Sequence, residues 1–166
     1  WLNTKVSTDK LIEIQKSFHR EILKDVKAIP GAEDIVAYCS LNSIPTALVT
    51  SSTNSSVLFK SRNHPFLQLI DIYIYGDDKE LEKGKPNPDP YLLAAKRLGV
   101  NPKRCWVIED SKAGLESALK AGCKVWRLKN NLGIQKDINE FNINENTHIV
   151  SELKSVLREL KITVNN

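Results

Sequence analysis

The chain has 166 residues, of which 41% are hydrophobic and 27% are charged, a composition typical of a globular domain and not of a disordered or fibrous protein. Its 24 Lys and Arg are interleaved with 20 Asp and Glu, whereas nucleic-acid-binding surfaces usually collect basic residues in one patch. No apolar stretch approaches the roughly 20 residues that span a bilayer. We therefore expect one main soluble, cytoplasmic domain with no nucleic-acid or membrane partner.

The three cysteines, Cys39, Cys105 and Cys123, lie far apart and form no CxxC motif. This spacing argues against a zinc site or a disulfide framework. Cys105 and Cys123 fall within apolar runs, so we expect them to be small core residues. The chain begins with Trp1 and contains no Met, which is consistent with a fragment of a longer protein.

The first half of the chain alternates between helical and extended patterns. Apolar residues at approximately helical spacing predict a helix over residues 8–26, ended by Pro30-Gly31. A short apolar run after Pro45 is typical of a buried parallel strand. In chain order the predicted elements after the first helix are a helix over 32–41, a strand over 46–49, a helix over 53–62 and a strand over 72–75.

The second half continues the alternation after a polar loop over residues 76–89. Residues 130–146 are polar and are predicted to form another loop. The predicted elements are a helix over 90–98, a strand over 105–108, a helix over 111–121 with Gly122 as its C-cap, a strand over 124–128 and a helix over 151–160. Strands alternating with helices through short links predict an α/β fold, a parallel sheet with helices on both faces.

Three polar motifs follow the predicted strands or precede helices, and ligands of parallel α/β sheets bind at the carboxyl ends of the strands. In the first motif, the Thr50 hydroxyl and the backbone N–H groups of Ser51 and Ser52 are candidate donors to phosphate oxygens, helped by the N-terminus of the following helix. The alternative is that these residues only cap that helix.

The second motif places Lys85 between Gly84 and Pro86, in a loop stiffened by proline. A cation held in this way can neutralise a phosphoryl group during its transfer. The alternative is a solvated lysine in a surface loop.

The third motif places Glu109 and Asp110 at the end of an apolar strand. Mg²⁺ prefers hard oxygen ligands and is usually held by one or two carboxylates together with water and phosphate. The alternative is that Asp110 or Ser111 acts as the N-cap of the next helix. Hydroxyl, lysine and paired acids, in this order, predict a site for phosphate and metal.

Together the segments 47–52 (ALVTSS), 84–89 (GKPNPD) and 107–114 (VIEDSKAG) resemble motifs II, III and IV of the haloacid dehalogenase (HAD) superfamily. The resemblance extends over about residues 30–129 and is closest to the branch that contains β-phosphoglucomutase, phosphoglycolate phosphatase and CbbY-type sugar phosphatases. It implies a HAD-like Rossmannoid core over residues 29–166 that lacks its first strand. Residues 1–28 would then be the last part of a helical cap.

The resemblance also implies roles for the six site residues. Thr50 would bind the transferring phosphoryl group, and Ser51 and Ser52 would line the phosphate cradle. Lys85 would neutralise the phosphoryl group and the nucleophile. Glu109 and Asp110 would hold Mg²⁺. Family members that act on carbon–halogen bonds lack this acidic pair, so its presence favours phosphate chemistry.

The chain departs from the family pattern because it lacks motif I. In the family this motif is a DxD that supplies the aspartate nucleophile, a metal ligand and the general acid/base. No DxD precedes Pro30, and Asp9 and Asp25 lie in a predicted helix. The resemblance therefore implies a Mg²⁺-dependent phosphatase of a small phosphorylated metabolite, such as a sugar phosphate or phosphoglycolate, whose nucleophile lies outside this chain, so that the chain alone is inactive. The alternatives are a β-phosphoglucomutase-like phosphomutase and a non-catalytic protein that binds phosphate or a partner.

Overall fold

The computed structural model describes residues 7–22, 26–129 and 145–164. None of the helices in these ranges has both the length and the apolarity needed to cross a membrane. The helices and strands in chain order are α1 (Thr8–Ile22), α2 (Ala32–Leu41), β1 (Ala47–Val49), α3 (Asn54–Ser61), β2 (Ile72–Ile74), α4 (Asp89–Leu98), β3 (Trp106–Glu109), α5 (Lys112–Lys120), β4 (Lys124–Leu128), β5 (Thr147–Val150) and α6 (Leu153–Val164), with short 3-10 helices at Pro65–Leu69 and Pro102–Arg104.

The described strands form two parallel sheets. β1 pairs with β2 so that Val49 lies opposite Ile74, and the second sheet has the order β3-β4-β5. The expected parallel α/β architecture is thus confirmed, but the strands that carry the first and third polar motifs, β1 and β3, lie in different sheets. Because all pairs are parallel, the carboxyl ends of the strands within each sheet share an edge.

Helices cover both faces of the larger sheet, as predicted. On one face Tyr91 of α4 and Leu115 of α5 pack with Val107 and Val125. On the other face Leu153 and Val156 of α6 pack with Trp126 and Leu128, against part of α2. Burial of each such large apolar side chain is worth about 1.5–3 kcal/mol, so these contacts fix the sheet between its helices.

Val49 at the end of β1 links the two sheets through packing. It contacts the cluster of buried residues that includes Val107 and also the cluster around Ile74, Leu93 and Ala94. Cys123 is 1% exposed in the first of these clusters, with the half-buried Cys105 against it. The expectation of a core position is confirmed for Cys123, whereas Cys105 is only partly buried against the core.

The observed elements differ from the predicted ones at several ends, including that of the last helix, which was predicted over residues 151–160 and spans Leu153–Val164, and in one additional strand. The first helix was expected to extend to residue 26, but residues 26–29 are not helical. Residue 29 precedes Pro30, and a residue before proline is disfavoured in the helical conformation. Strand β5, Thr147–Val150, was not predicted; it pairs with β4, and its apolar run of Ile149 and Val150 is too short to give a clear periodic pattern.

Of the loop predicted over 130–146, residues 130–144 lie outside the described residues. The C-cap of α5 is Ala121 and not the predicted Gly122, which follows it directly and adopts a φ of 84°. A positive φ of this kind is readily adopted by glycine, and the chain reverses there to enter β4.

Candidate active site

The turn after β1 is held by backbone hydrogen bonds to the last residue of β2 and to the segment that follows it. Thr50 N donates to Ile74 O at 2.9 Å, and Gly76 N donates to Ser52 O at 2.9 Å. Within the turn, Ser52 N donates to Thr50 Oγ1 at 3.1 Å. The Ser52 N–H group is therefore engaged inside the turn, whereas the hydroxyl hydrogen of Thr50 has no acceptor among the described residues.

The residues that cap helix α3 come later in the chain than the Thr50–Ser52 turn. Thr53 is the N-cap and its Oγ1 accepts from Ser56 N at 3.4 Å. Asp77 Oδ1 accepts from Asn54 N at 2.9 Å. The alternative role for Thr50 and its neighbours, capping of the helix, is thus taken by Thr53 and Asp77.

The loop that carries Lys85 is attached to helix α5. The buried hydroxyl of Ser117 donates to Asn87 O, and Lys120 Nζ donates to Pro86 O at 3.1 Å. The Lys85-Pro86 peptide bond is cis. These contacts with α5, which the sequence did not predict, fix the backbone on the carboxyl side of Lys85.

The side chain of Lys85 points inward and is only 8% exposed. Its Nζ donates to Val49 O at 3.1 Å and to Glu109 Oε1, and lies 5.0 Å from the centroid of the Tyr91 ring. The alternative of a solvated surface lysine is therefore wrong. Lys85 connects the carboxyl end of β1 with the carboxyl end of β3.

The Glu109 carboxylate is held on both oxygens. Oε1 accepts from Lys85 Nζ and from the Tyr91 hydroxyl, and Oε2 accepts from Ser111 Oγ at 3.0 Å. Burial disfavours the charged form, but the hydrogen bonds from Lys85 and Tyr91 outweigh it and lower the pKa of Glu109. Glu109 is therefore an ionised, hydrogen-bonded carboxylate at neutral pH.

Tyr91 is a site residue that the sequence analysis missed. It is 6% exposed in the first turn of α4. Burial, and next the charge of Glu109, raise its pKa, so the hydroxyl stays protonated and donates. The position of Tyr91 in the helical pattern of α4 indicated only a core residue. Its place directly after the loop that carries Lys85 was the signal that could have indicated a site residue.

Asp110 differs from Glu109 because it is exposed and makes no hydrogen bond or ion pair with another described residue. The N-cap of α5 is Ser111, whose Oγ accepts from Gly114 N at 3.0 Å. Ser111, and not Asp110, therefore has the N-cap role that was the alternative interpretation of the acidic motif. Asp110 is left as a carboxylate that can reach a cation or a substrate.

The donor chemistry of this site suits Mg²⁺ in part. Carboxylate oxygens are its preferred protein ligands, and Asp110 and the Oε2 atom of Glu109 are two such donors at one strand end. No group of three or more His, Cys, Asp or Glu side chains is placed to hold a metal within the described ranges. Water, phosphate or a further carboxylate has to complete the coordination.

An apolar cleft of about 480 Å³ lies beside this strand end. Its lining includes Ile108, Glu109 and Asp110 from the end of β3, with Phe66 and Leu128 among its apolar residues. Ile108 is 39% exposed although it lies in a strand. The candidate site therefore has solvent-accessible space next to Asp110.

Fold and site together define a parallel α/β protein with a hydroxyl, a buried lysine and an acidic pair at the carboxyl ends of its strands. Residues 2–128 match the haloacid dehalogenase-like hydrolase family, and the chain belongs to this family. The resemblance to this family is confirmed by the match.

Three similar curated proteins are named as phosphatases. The chain is 38% identical over 100 residues to the bifunctional riboflavin kinase/FMN phosphatase of Arabidopsis thaliana, a match covering 60% of this chain and 26% of that protein. It is 37% identical to hexitol phosphatase A of Escherichia coli, covering 60% and 45%. It is 36% identical over 124 residues to a probable pseudouridine-5'-phosphatase of Drosophila melanogaster, covering 72% and 54%. The matches thus span about half or less of each relative.

Similar solved structures have the same fold. A putative beta-phosphoglucomutase from Thermotoga maritima superposes with a TM-score of 0.76 at 28% identity, over 97% of this chain and 73% of that chain. A HAD family hydrolase from Deinococcus radiodurans, with bound phosphate and sodium, superposes with a TM-score of 0.75 at 26% identity, over 96% and 69%. The expected HAD-like fold is confirmed.

Proposed function

We propose that this chain is the phosphate-handling part of a Mg²⁺-dependent phosphatase that hydrolyses a small phosphorylated metabolite, such as a sugar phosphate or phosphoglycolate. The observation that carries the proposal is the buried Lys85, held between Val49 O and Glu109. A cation fixed at the meeting point of two strand ends is suited to a phosphoryl group. The family and the phosphatase relatives support the same reaction class.

Each predicted site residue has a chemical role in this proposal. Lys85 neutralises the negative charge of the phosphoryl group during transfer. The Thr50 hydroxyl, which has a hydrogen to donate, and Ser51 bind phosphate oxygens, while Ser52 shapes the turn through its bond to Thr50 Oγ1. These groups position the phosphorus atom for attack.

Asp110 and Glu109 have different roles in binding Mg²⁺ in this proposal. Asp110 offers both oxygens to Mg²⁺, whereas Glu109 has Oε1 committed to Lys85 and Tyr91 and offers the metal only Oε2. Mg²⁺, when bound, supplies positive charge that lowers the barrier for attack on the phosphate. Ionised Glu109 also keeps the Lys85 ammonium in place beside the phosphate.

The reaction needs a nucleophile, which we assign to an aspartate outside these 166 residues because they contain no DxD. Its carboxylate attacks phosphorus as the bond to the substrate oxygen breaks, and that oxygen takes a proton from the general acid of the same DxD to leave as the alcohol. Water then hydrolyses the aspartyl-phosphate to inorganic phosphate and the free aspartate. β1 and β3 belong to separate sheets, with Lys85 contacting the carboxyl end of each. A strand lying between them would end beside that ammonium group.

A phosphomutase is the second candidate, supported by the structural similarity to the putative beta-phosphoglucomutase. In that reaction the phosphoryl group returns to a sugar hydroxyl and no inorganic phosphate is released. A third candidate is a protein that binds phosphate without catalysis.

The test compares this chain with the protein expressed from the complete gene, in p-nitrophenyl phosphate hydrolysis with and without Mg²⁺. We expect Mg²⁺-dependent hydrolysis by the complete protein only, loss of it in Asp110→Asn, and no loss in Asp34→Asn, an exposed carboxylate in α2. Isomerisation of a sugar phosphate without phosphate release would favour the mutase. Phosphate binding without either reaction would favour the binding protein.

A further inference from the structure

Two donors share one carboxylate oxygen in this site. The Tyr91 hydroxyl and the Lys85 ammonium group both bind Glu109 Oε1, and the ammonium nitrogen lies 5.0 Å from the Tyr91 ring centroid. Tyr91 therefore contacts the lysine with its ring and the lysine's counter-ion with its hydroxyl. A phenylalanine would reproduce only the first of these contacts.

The hydroxyl is a polar group in an apolar environment. Tyr91 is 6% exposed and packs with Val107, Leu115 and Val125. Leaving a buried hydroxyl without a partner is costly, and within the described part of the chain its partner is Glu109. A residue required only to fill this part of the core would need no hydroxyl.

The Tyr91 hydroxyl helps to hold the Glu109 carboxylate in place because it donates to one of its oxygens. Glu109 is held by Tyr91 and Lys85 on Oε1 and by Ser111 on Oε2. Without the tyrosine hydroxyl, the hydrogen bond that remains on Oε1 among the described residues comes from Lys85, a long side chain that costs rotamer entropy to order. The Lys85–Glu109 pair would then be held less firmly beside Val49.

We propose that Tyr91 is a positioning residue: its hydroxyl fixes the Glu109 carboxylate so that Lys85 stays beside Val49 O, with its charge at the end of β1 where phosphate is bound. The effect on turnover rests on the proposed function. The effect on Lys85 does not, because it concerns contacts within this chain.

The first test measures Lys85 directly in this chain. The rates at which acetic anhydride acetylates Lys85 and Lys120 are followed by mass spectrometry. Lys120 is the internal reference, since its Nζ donates a hydrogen bond to Pro86 O in the same loop. We expect Tyr91→Phe to raise the acetylation rate of Lys85 about tenfold, a factor that matches the lower end of the strength of a hydrogen bond to a charged group. The acetylation rate of Lys120 should stay unchanged. The matched control is Tyr73→Phe, whose hydroxyl donates to Leu67 O outside the site.

The second test measures turnover of the protein from the complete gene. We expect Tyr91→Phe to lower kcat about tenfold with KM changed less than twofold, and Tyr73→Phe to match the parent. Unchanged Lys85 acetylation in Tyr91→Phe would overturn the inference, as would an equal rise at Lys85 and Lys120, which signals general loosening. If the parent lacks phosphatase activity but Lys85 responds as expected, the proposed function fails and the positioning role of Tyr91 stands.

Discussion

The ammonium nitrogen of Lys85 lies 3.1 Å from the carbonyl oxygen of Val49, although 36 residues separate them in the chain. Val49 ends β1, while the carboxylate that pairs with Lys85 ends β3, a strand of the other sheet. One side chain therefore makes polar contacts with the carboxyl ends of both sheets.

Replacing Lys85 tests both the proposed chemistry and the stability of the pair. Lys85→Met leaves the buried Glu109 carboxylate without its cation, and breaking a buried ion pair costs about 3–5 kcal/mol. We expect a fall of about 3 kcal/mol in the free energy of unfolding, measured by urea denaturation, and loss of phosphatase activity in the complete protein. Lys83→Met, at an exposed position of the same loop, serves as control; equal stability of the two variants would contradict the prediction.

The lowered pKa of Glu109 predicts how stability depends on pH. Because the folded pKa lies below the unfolded value of about 4.3, the stabilisation is complete above that value and is lost as the pH falls through the folded pKa. Unfolding free energies of the wild type and of Glu109→Gln, measured from pH 7 to pH 3, should converge as the pH falls. Asp78, whose pKa is lowered chiefly by its hydrogen bonds with Arg97, remains in both proteins. Parallel curves would show that Glu109 does not carry this dependence.

Gly76 allows the Thr50–Ser52 turn to approach the segment after β2. A Cβ at this position would lie 2.2 Å from Ser51 O and 2.7 Å from Ser51 C, so Gly76→Ala has to displace backbone atoms. We expect a loss of about 1–3 kcal/mol in unfolding free energy and weaker phosphate binding, measured by calorimetry. Gly84→Ala is the matched control because a Cβ there meets nothing within 4 Å. Equal stability of the two alanine variants would show that the turn can move at no cost.

Ser117 tests the attachment of the lysine loop to α5. Ser117→Ala removes the hydroxyl that donates to Asn87 O and leaves a carbonyl without that partner, at a cost of about 1–3 kcal/mol. We expect a lower melting temperature and faster proteolysis of the loop over residues 84–89. Ser61→Ala removes a hydroxyl that donates to Leu58 O within α3 and should change neither. Equal protection of the loop in both variants would rule out this attachment.

Much of the architecture could be predicted because the decisive signals are local. The apolar runs of β1, β3 and β4 and the helical spacing of α4 and α5 are patterns within a few residues, and each predicts its element directly. The polar residues that end β1 and β3 are equally visible. Strand β5 was missed because it is defined by its pairing with β4, which no local pattern of four residues expresses.

The site shows the same division between local and long-range information. The available chemistry is visible in the amino-acid sequence, namely the hydroxyl of Thr50, the cation of Lys85 and the carboxylates of Glu109 and Asp110. Only the tertiary structure decided that Lys85 is buried, that Glu109 is shared with Tyr91 and that Asp110 is left accessible. The physical reason is that Lys85 and Glu109 lie 24 residues apart; their contact depends on the packing of α4 and α5, which brings the loop and the strand end together.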